Sequence, residues 1–463
     1  MREWEKTTWA TGQTESAVIS RVGQIVAERA LRLTRPRDAI LVLAGKGHNG
    51  DDARAARPHL ADREVTLLDV KNPAAGLEEF RQVIAHRPNL IIDGLFGIGL
   101  NRPLAVNWTK LIELINQTDV PVLSIDVPSG LDADTGEAQG AAIRARVTLT
   151  LGTPKPGLLR SQASQFVGRL EVASKIGLVP CPYESELQWG LPDDFAAYPP
   201  QRRVDAHKGT FGHLTIFAGS LGYHGAAVLA ARGALRAQPG LVTVFTPENV
   251  YLPVASQLGA AMVHPWHPGI RLPDSCSAVV FGPGLASLDL SADLKSETSH
   301  LWRELPLPVI ADASALDWLP AGATRPGALR VITPHPGEAA RMLKASVSDV
   351  QAVRAAALRD LARQFGDCWV VLKGHQTMIG RSAGEIFINP SGDPHLAQGG
   401  SGDVLAGYLG GLLAQPALQT APLTALRYAV WQHGAAADEL SVKGANWTIE
   451  ELLAMLGQIA PAG

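Results

Sequence analysis

Residues 397–407 read AQGGSGDVLAG: three glycines and a serine ahead of a lone acid, Asp403, followed by an apolar run, VLAGYLGGLLA. Glycines at a helix start leave backbone N–H groups pointing the same way as the positive end of the helix dipole, an arrangement that binds anions. A carboxylate beside a bound phosphate would be repelled, so Asp403 needs another role. A base there can take the proton of an alcohol while that oxygen attacks a phosphoryl group held by the turn, and the surrounding N–H donors would keep the base ionised. The plain alternative is an acid favoured only by the dipole of its own helix.

Three further turns in the same half fit this chemistry. In HPGE (335–338), Pro336 suits a first helical turn and Glu338 lies in capping reach. His335 is then left at the positive helix end, where it can donate to a substrate oxygen or serve the cap alone. LKGHQT (372–377) closes an apolar run with Lys373, a point charge for nucleotide phosphate. GPG (282–284) lets backbone approach a flat ligand.

The first half carries a second set. GKGHNGDD (45–52) joins an apolar run to a helical pattern, and GLFGIGLNRP (94–103) adds a glycine loop with Arg102 available for phosphate. Two apolar runs close with acids, Asp93 in LIIDG and Asp126 in SIDVPSG; each could instead cap a helix or brace a loop. Asn49, Asp93, Asp126 and Ser129 together offer hard oxygen donors, which suit an alkali or alkaline-earth cation rather than zinc.

These residues need elements to hold them. AILVLAG (39–45), EVTLLDV (64–70), LIIDGLF (90–96) and VPVLSIDVPSG (120–130) predict strands, with helical patterns between most of them. Ser16 is placed to cap a helix whose apolar face is Val18, Val22, Ile25 and Val26. In the second half strands are predicted over 213–219, 241–247, 278–284, 307–313, 329–335 and 368–374, and helices over 224–237, 351–365 and 402–414. This alternation predicts an α/β protein of two αβα sandwiches, Rossmann-like in the first part. Strand after strand ends in a polar or glycine-rich turn, and ligands of open parallel sheets sit outside the carboxyl ends of strands, so two domains imply two sites. The seam falls in 177–206, which holds five prolines and no sustained periodicity. The expected domains are residues 1–205, including a connector from about 177, and 206–463.

Bulk properties bound the rest. With 463 residues the chain is too long for one core. A formal net charge of −3 supplies no bulk basic field for nucleic acid or an anionic membrane. Cys181, Cys276 and Cys368 are scattered and in no metal-ligand spacing, as in a reduced compartment. The N-terminus shows no apolar leader, and the apolar runs are too short to span a bilayer. A cytoplasmic protein without membrane or nucleic-acid partners is expected.

Taken in order, the motifs resemble the NAD(P)H-hydrate repair enzymes, which restore damaged nicotinamide cofactors. Over roughly 1–205, HNGDDA (48–53), IID (91–93), GIGL (97–100) and DVPSG (126–130) are similar to the family's epimerase domain, which interconverts R and S hydrates. The resemblance implies K⁺ on Asn49, Asp93 and Ser129. It implies substrate contacts from His48, Asn49, Gly50, Asp51 and Asp52 and from Gly97, Ile98, Gly99, Leu100, Asn101, Arg102 and Pro103. Asp126 would act on the ring as acid or base. Asp51 and Ala53 stand where the family has glycines, which puts a charge and a β-carbon into the phosphate loop.

Over 206–463 the motifs HKGTFGH (207–213), FGPGL (281–285), ITPHPGEAARML (332–343), VVLKGHQT (370–377) and NPSGDPHLAQGGSGDVLAG (389–407) are similar to the ribokinase-like ADP- or ATP-dependent dehydratase domain. The resemblance implies that Ala226, Gly284, His335 and Asp403 contact the hydrate. Lys373, Gly374, His375, Gln376, Thr377 and Gly402 would contact the adenine nucleotide, which brings Mg²⁺. Asp403 would deprotonate the C6 hydroxyl so that it is phosphorylated. Ser314 and His395 depart from the family, as do Gln238 and Pro239, which replace Gly-Ala. A bifunctional enzyme is therefore expected, acting on NADHX and NADPHX, leaning to ADP, and forming a homo-oligomer. The rival reading keeps the second fold as a ribokinase-type small-molecule kinase, behind a degenerate nucleotide-binding or dimerisation module.

Overall fold

The run AILVLAG forms a strand over Ala39–Ala44 (β1), and its alternate residues feed two cores. Ile40, Val42 and Ala44 pack with Val18, Val22 and Val26 of the helix Glu15–Leu33 and with Ala53 and Ala56 of the helix His48–Ala56. Leu41 and Leu43 face Phe80, Leu111 and Ile112 on the helices Pro73–Ile84 and Val106–Asn116. The strand's period of two meets helical stripes spaced by three and four, which makes a sheet covered on both faces. Helix Glu15–Leu33 is capped by Thr14, not Ser16: Thr14 has the extended backbone a cap needs, and its hydroxyl accepts from Ala17 N–H at 3.3 Å.

This computed structural model describes residues 1–461, and the chain divides into two units, Met1–Glu184 and Ser185–Gly463. In the first, β1 is joined by β2 (Glu64–Asp69), β3 (Leu90–Gly94), β4 (Val122–Ile125), β5 (Val147–Leu151) and β6 (Arg169–Ala173). The sheet is parallel throughout, in the order β2-β1-β3-β4-β5-β6. Strand order reverses between β1 and β3, so the loops after these two strands flank the switch point where ligands bind in such sheets.

The second unit has β7 (Leu187–Trp189), β8 (His213–Phe217), β9 (Leu241–Pro247), β10 (Met262–Trp266) and β11 (Ala278–Phe281). Then follow β12 (Val309–Ala311), β13 (Arg330–Ile332), β14 (Trp369–Leu372), β15 (Met378–Gly380) and β16 (Ile386–Ile388). The ten-stranded sheet runs β10-β9-β8-β11-β12-β13-β14-β15-β16-β7, with its switch point between β8 and β11. Pairing is parallel from β10 to β14, and β15 is antiparallel to both its neighbours. Because β7 pairs with β16, residues 185–205 go with the second unit, and the boundary lies at 184 rather than 205. A three-residue edge strand among prolines leaves no periodicity to read.

The apolar run after Asp403 forms the buried helix Ser401–Leu413. Its glycines serve packing: a methyl on Gly407 would collide with Ala230 O, and one on Gly411 would lie 2.6 Å from Ala234 O. The close approach to the helix His224–Arg236 fixes where Asp403 points. No helix among the described residues is long and apolar enough to cross a membrane.

Candidate functional sites

At the first switch point the loop after β1 is short, because the helix His48–Ala56 begins at once. Asp51 therefore has ordinary helical backbone instead of occupying a flexible loop. Its carboxylate pairs with Arg54 at 2.8 Å, and the same guanidinium bonds Gly45 O at 2.7 Å and Asp69. The position that demands glycine is Gly50, where a methyl would collide with the carbonyl oxygen of Gly45. His48, at the helix start, is exposed and pairs with Glu15 at 2.9 Å.

Behind that helix start lies a knot of oxygens. Asp93, fully buried at the end of β3, accepts from Ser129 Oγ at 2.5 Å, Ser129 N at 2.9 Å, Ser124 Oγ at 2.8 Å and Leu95 N at 3.3 Å. Burial nevertheless pushes its carboxyl up against those four bonds. Asn49 Nδ2 donates to Phe96 O at 2.7 Å and Ile125 O at 3.1 Å, while its Oδ1 is buried with no hydrogen-bond partner. Gly97 lies over Asn49, with room for a methyl only at 3.4 Å from its Cβ. Ile98 and Leu100 are half-buried, and Gly99, Asn101, Arg102 and Pro103 are exposed along the rim.

Asp126 follows β4 with φ 65°, a left-handed backbone uncommon outside glycine. Its Oδ1 accepts from Leu151 N at 3.0 Å, from Thr150 Oγ1 at 3.4 Å and from the ammonium of Lys155, which is itself buried. Asp52, from the helix His48–Ala56, is buried in the same site. Burial first, then the charges of Asp126, Asp51, Glu5 and Glu15, push its carboxyl up to about 8.

At the second switch point Gly284 has φ 66°, and a methyl on it would lie 2.5 Å from Tyr223 O and 2.7 Å from Ala226 Cβ. The predicted pair Ala226 and Gly284 thus forms one shelf. Asp403 is the third residue of its helix, whose cap, Gly400, has φ 95°. Lys373 Nζ lies 2.8 Å from Asp312 Oδ1 and 3.9 Å from Glu338 Oε2, and 3.3 Å from where a methyl on Gly402 would sit. Burial would lower this ammonium, but Asp312, Glu338 and Asp403 hold it above the ordinary range. Asp403 moves the other way from the expected ionised base: burial, then Asp312 and Glu338, outweigh Lys373 and push it up to about 7.

His335 and Glu338 form a reciprocal cap on the helix Pro336–Leu343: His335 Nδ1 accepts from Gly337 N at 3.0 Å and Glu338 N at 3.2 Å, and Glu338 Oε2 accepts from His335 N at 2.7 Å. With Nδ1 accepting, the proton sits on Nε2, which lies 3.5 Å from Glu338 Oε1. The loop after β14 is pinned by Arg354, which donates to Leu372 O at 3.2 Å, Lys373 O at 3.4 Å and His375 O. Within it Thr377 Oγ1 donates to Gly374 O at 3.1 Å; Gln376 has φ 56° and a buried Nε2 without a hydrogen-bond partner among the described residues. His433, pushed down to about 4 by burial, donates through Nε2 to Ser401 O at 3.0 Å and braces the Asp403 turn.

Sequence reasoning passed over Lys155, Asp312, Arg354 and His433. Two had a usable signal. Asp312 closes the apolar run LPVIADA as Asp93 closes LIIDG, and Lys155 in TPKPG is an isolated cation just past a run of alternating threonines.

Fold and geometry define a two-unit α/β protein with a ligand rim at each switch point, the second holding a poised acid at a glycine-rich helix start. Comparison with known proteins sharpens that class. Residues 214–457 match the family model described as NAD(P)H-hydrate dehydratase, and residues 70–157 match that of the YjeF-related protein N-terminus. The chain is 36% identical to the bifunctional NAD(P)H-hydrate repair enzyme Nnr of Gloeobacter violaceus, over 96% of this chain and 92% of that one. It is 33% identical to the Coxiella burnetii protein of the same name, over 96% and 94%. Among solved structures, the ADP/ATP-dependent NAD(P)H-hydrate dehydratase of Bacillus subtilis, co-crystallised with ATP/Mg²⁺, is 31% identical with a TM-score of 0.53, over 58% of this chain and 96% of that one. The chain belongs to the family of bifunctional NAD(P)H-hydrate repair enzymes. A plain small-molecule kinase is not favoured, because the Gloeobacter and Coxiella relatives align with both units.

Proposed function

We propose that the first unit interconverts the R and S hydrates of NADH and NADPH, and that the second dehydrates the S form at the expense of ADP or ATP. The observation that carries this reading is the place of Asp403, three residues into a glycine-led helix and beside Lys373, where burial pushes its carboxyl up to about 7. A base poised near working pH is most effective in proton transfer. Asp403 takes the proton of the C6 hydroxyl; the oxygen attacks the terminal phosphoryl group, and the O–P bond forms as the phosphoanhydride bond breaks. Phosphate then leaves C6 with the C–O electron pair, and loss of the C5 proton restores the dihydropyridine. Ala226, Gly284 and His335 hold the hydrate, while Lys373, Gly374, His375, Gln376, Thr377 and Gly402 hold the nucleotide.

Mg²⁺ would come with the nucleotide and neutralise its phosphate charge. In the first unit the donors fit K⁺: the orphaned Asn49 Oδ1, the buried Asp93 carboxylate and Ser129 are all oxygen ligands. A cation there would offset the cost of ionised Asp93 and fix the helix start at His48–Asp52, which with the 97–103 loop cradles the substrate. Asp126 handles the proton at the ring. We place the protein in the cytoplasm, as a homo-oligomer.

Supplying S hydrate with ADP or ATP should return the reduced-nicotinamide absorbance. Supplying R hydrate should do the same faster than spontaneous epimerisation permits. Failure of the first result removes the dehydratase assignment, and failure of the second removes the epimerase.

A further inference from the structure

Lys155 stands outside the family-based expectations, yet it is a buried cation whose ammonium has three partners: Asp126 Oδ1, Thr150 Oγ1 at 3.0 Å and Leu151 O at 2.8 Å. All the donors that reach Asp126 converge on Oδ1. Among the described residues none reaches Oδ2. The left-handed backbone at φ 65° is held from both sides, by Asp126 N donating to Leu149 O at 2.8 Å and by the donors on Oδ1. One oxygen is thus fixed and the other left open. The second carboxyl of the site, Asp52, makes no hydrogen bond or ion pair among the described residues, and Asp126 is the foremost charge acting on it. A pair of acids in unlike environments is how a site separates a proton acceptor from a donor.

We propose that Lys155 is a positioning residue of the epimerase site: it pins Asp126 so that Oδ2 is the proton acceptor, with the carboxyl of Asp52 as the donor. This rests on the epimerase reading above. The hydroxyl carbon of the hydrate, C6, is bonded to the ring nitrogen, N1. Asp126 Oδ2 takes the hydroxyl proton, C6–O becomes a carbonyl, and the C6–N1 bond breaks with its electron pair leaving on N1, which takes the proton of Asp52. After the carbonyl turns, N1 attacks its opposite face and C6–N1 re-forms. The N1 proton returns to Asp52 and the oxygen recovers the one held by Asp126. No proton or electron is gained or lost.

Charged groups around the pair come from several elements. Glu5 of the helix Arg2–Trp9, Glu15 (paired with His48), Asp51 (paired with Arg54) and Asp126 (paired with Lys155) act on Asp52. Burial and these carboxylates push the Asp52 carboxyl up to about 8. R-hydrate turnover should fall above that pH, and the fall should vanish in D52N, whatever its absolute rate.

The decisive test is a double-mutant cycle in the full chain, with R hydrate and nucleotide as substrates and S-hydrate dehydration as the internal control. Lys155→Met should lower kcat for R hydrate by about 100-fold, with KM changed less than about threefold. Asp126→Asn should do likewise, and the double variant should be no slower than D126N. Lys155→Arg should recover about tenfold over K155M. Should K155M fail to fold, D126N and the double variant, which lacks the unpaired buried acid, carry the comparison. Losses that multiply in the double variant, or a K155M defect confined to KM, would overturn the positioning role. A wild-type rate no faster than spontaneous epimerisation is a different result, which removes the epimerase reading itself.

Discussion

The two sites solve one problem in opposite ways. Each holds an acid at the rim of a switch point. In the first unit Asp126 is tied to its own cation, Lys155, on a strained turn after β4. In the second, the cation beside Asp403 is already committed to Asp312, so Asp403 stands among like charges and rises to about 7. A bound cation fixes the direction of an acid, whereas uncompensated burial tunes its strength. The first device suits an isomerisation that must take and return a proton at one spot. The second suits a base that acts once per phosphoryl transfer.

The largest break in this comparison is Asp403→Asn. It should lower S-hydrate dehydration by about 10²–10⁴-fold while leaving R-to-S conversion intact, measured by chromatographic separation of the two hydrates. Next comes Asp93→Leu, which strands Ser124, Ser129 and two backbone N–H groups. It should destabilise the first unit by about 2–4 kcal/mol in denaturant unfolding and abolish epimerase activity without touching dehydration. Third, the proposed base acts in its ionised form, so dehydration should fall about tenfold per pH unit well below 7 in a pH–rate profile, and D403N should flatten that limb. Gly50→Ala should cost about 1–3 kcal/mol of first-unit stability, since the added methyl meets Gly45 O. The smallest effect is expected from Asp51→Gly. It removes a partly exposed pair on a helix that Arg54 already anchors elsewhere, so first-unit stability in denaturant unfolding should change by no more than about 1 kcal/mol.

Much of this was legible in the residues. Strands β1, β3, β8 and β11 were readable because their apolar runs are long and end in acid or glycine, and these four flank both switch points. Strands β5 and β6 were not: Thr148 and Thr150 sit buried in β5, and polar residues break the apolar signal. The capping geometry of His335 and Glu338 follows from four consecutive residues, so sequence suffices. The Lys155–Asp126 and Lys373–Asp312 pairs join residues 29 and 61 positions apart, and only the folded sheet brings them together. Asp51 shows the converse error. A charge that looks misplaced in a glycine-rich motif is benign once the helix is seen to start three residues earlier. Gln238 is a position where a side chain does sit on left-handed backbone, with φ 57°.

One measurement bears on the whole account: pure R hydrate and nucleotide given to the full chain, with both hydrates and the reduced cofactor followed in time. The wild type should regenerate cofactor, D403N should convert R to S and stop with S accumulating, and D126N should regenerate cofactor only as fast as R epimerises unaided. Regeneration by D403N at the wild-type rate would contradict the assignment of the second site, and with it the division of labour between the two units.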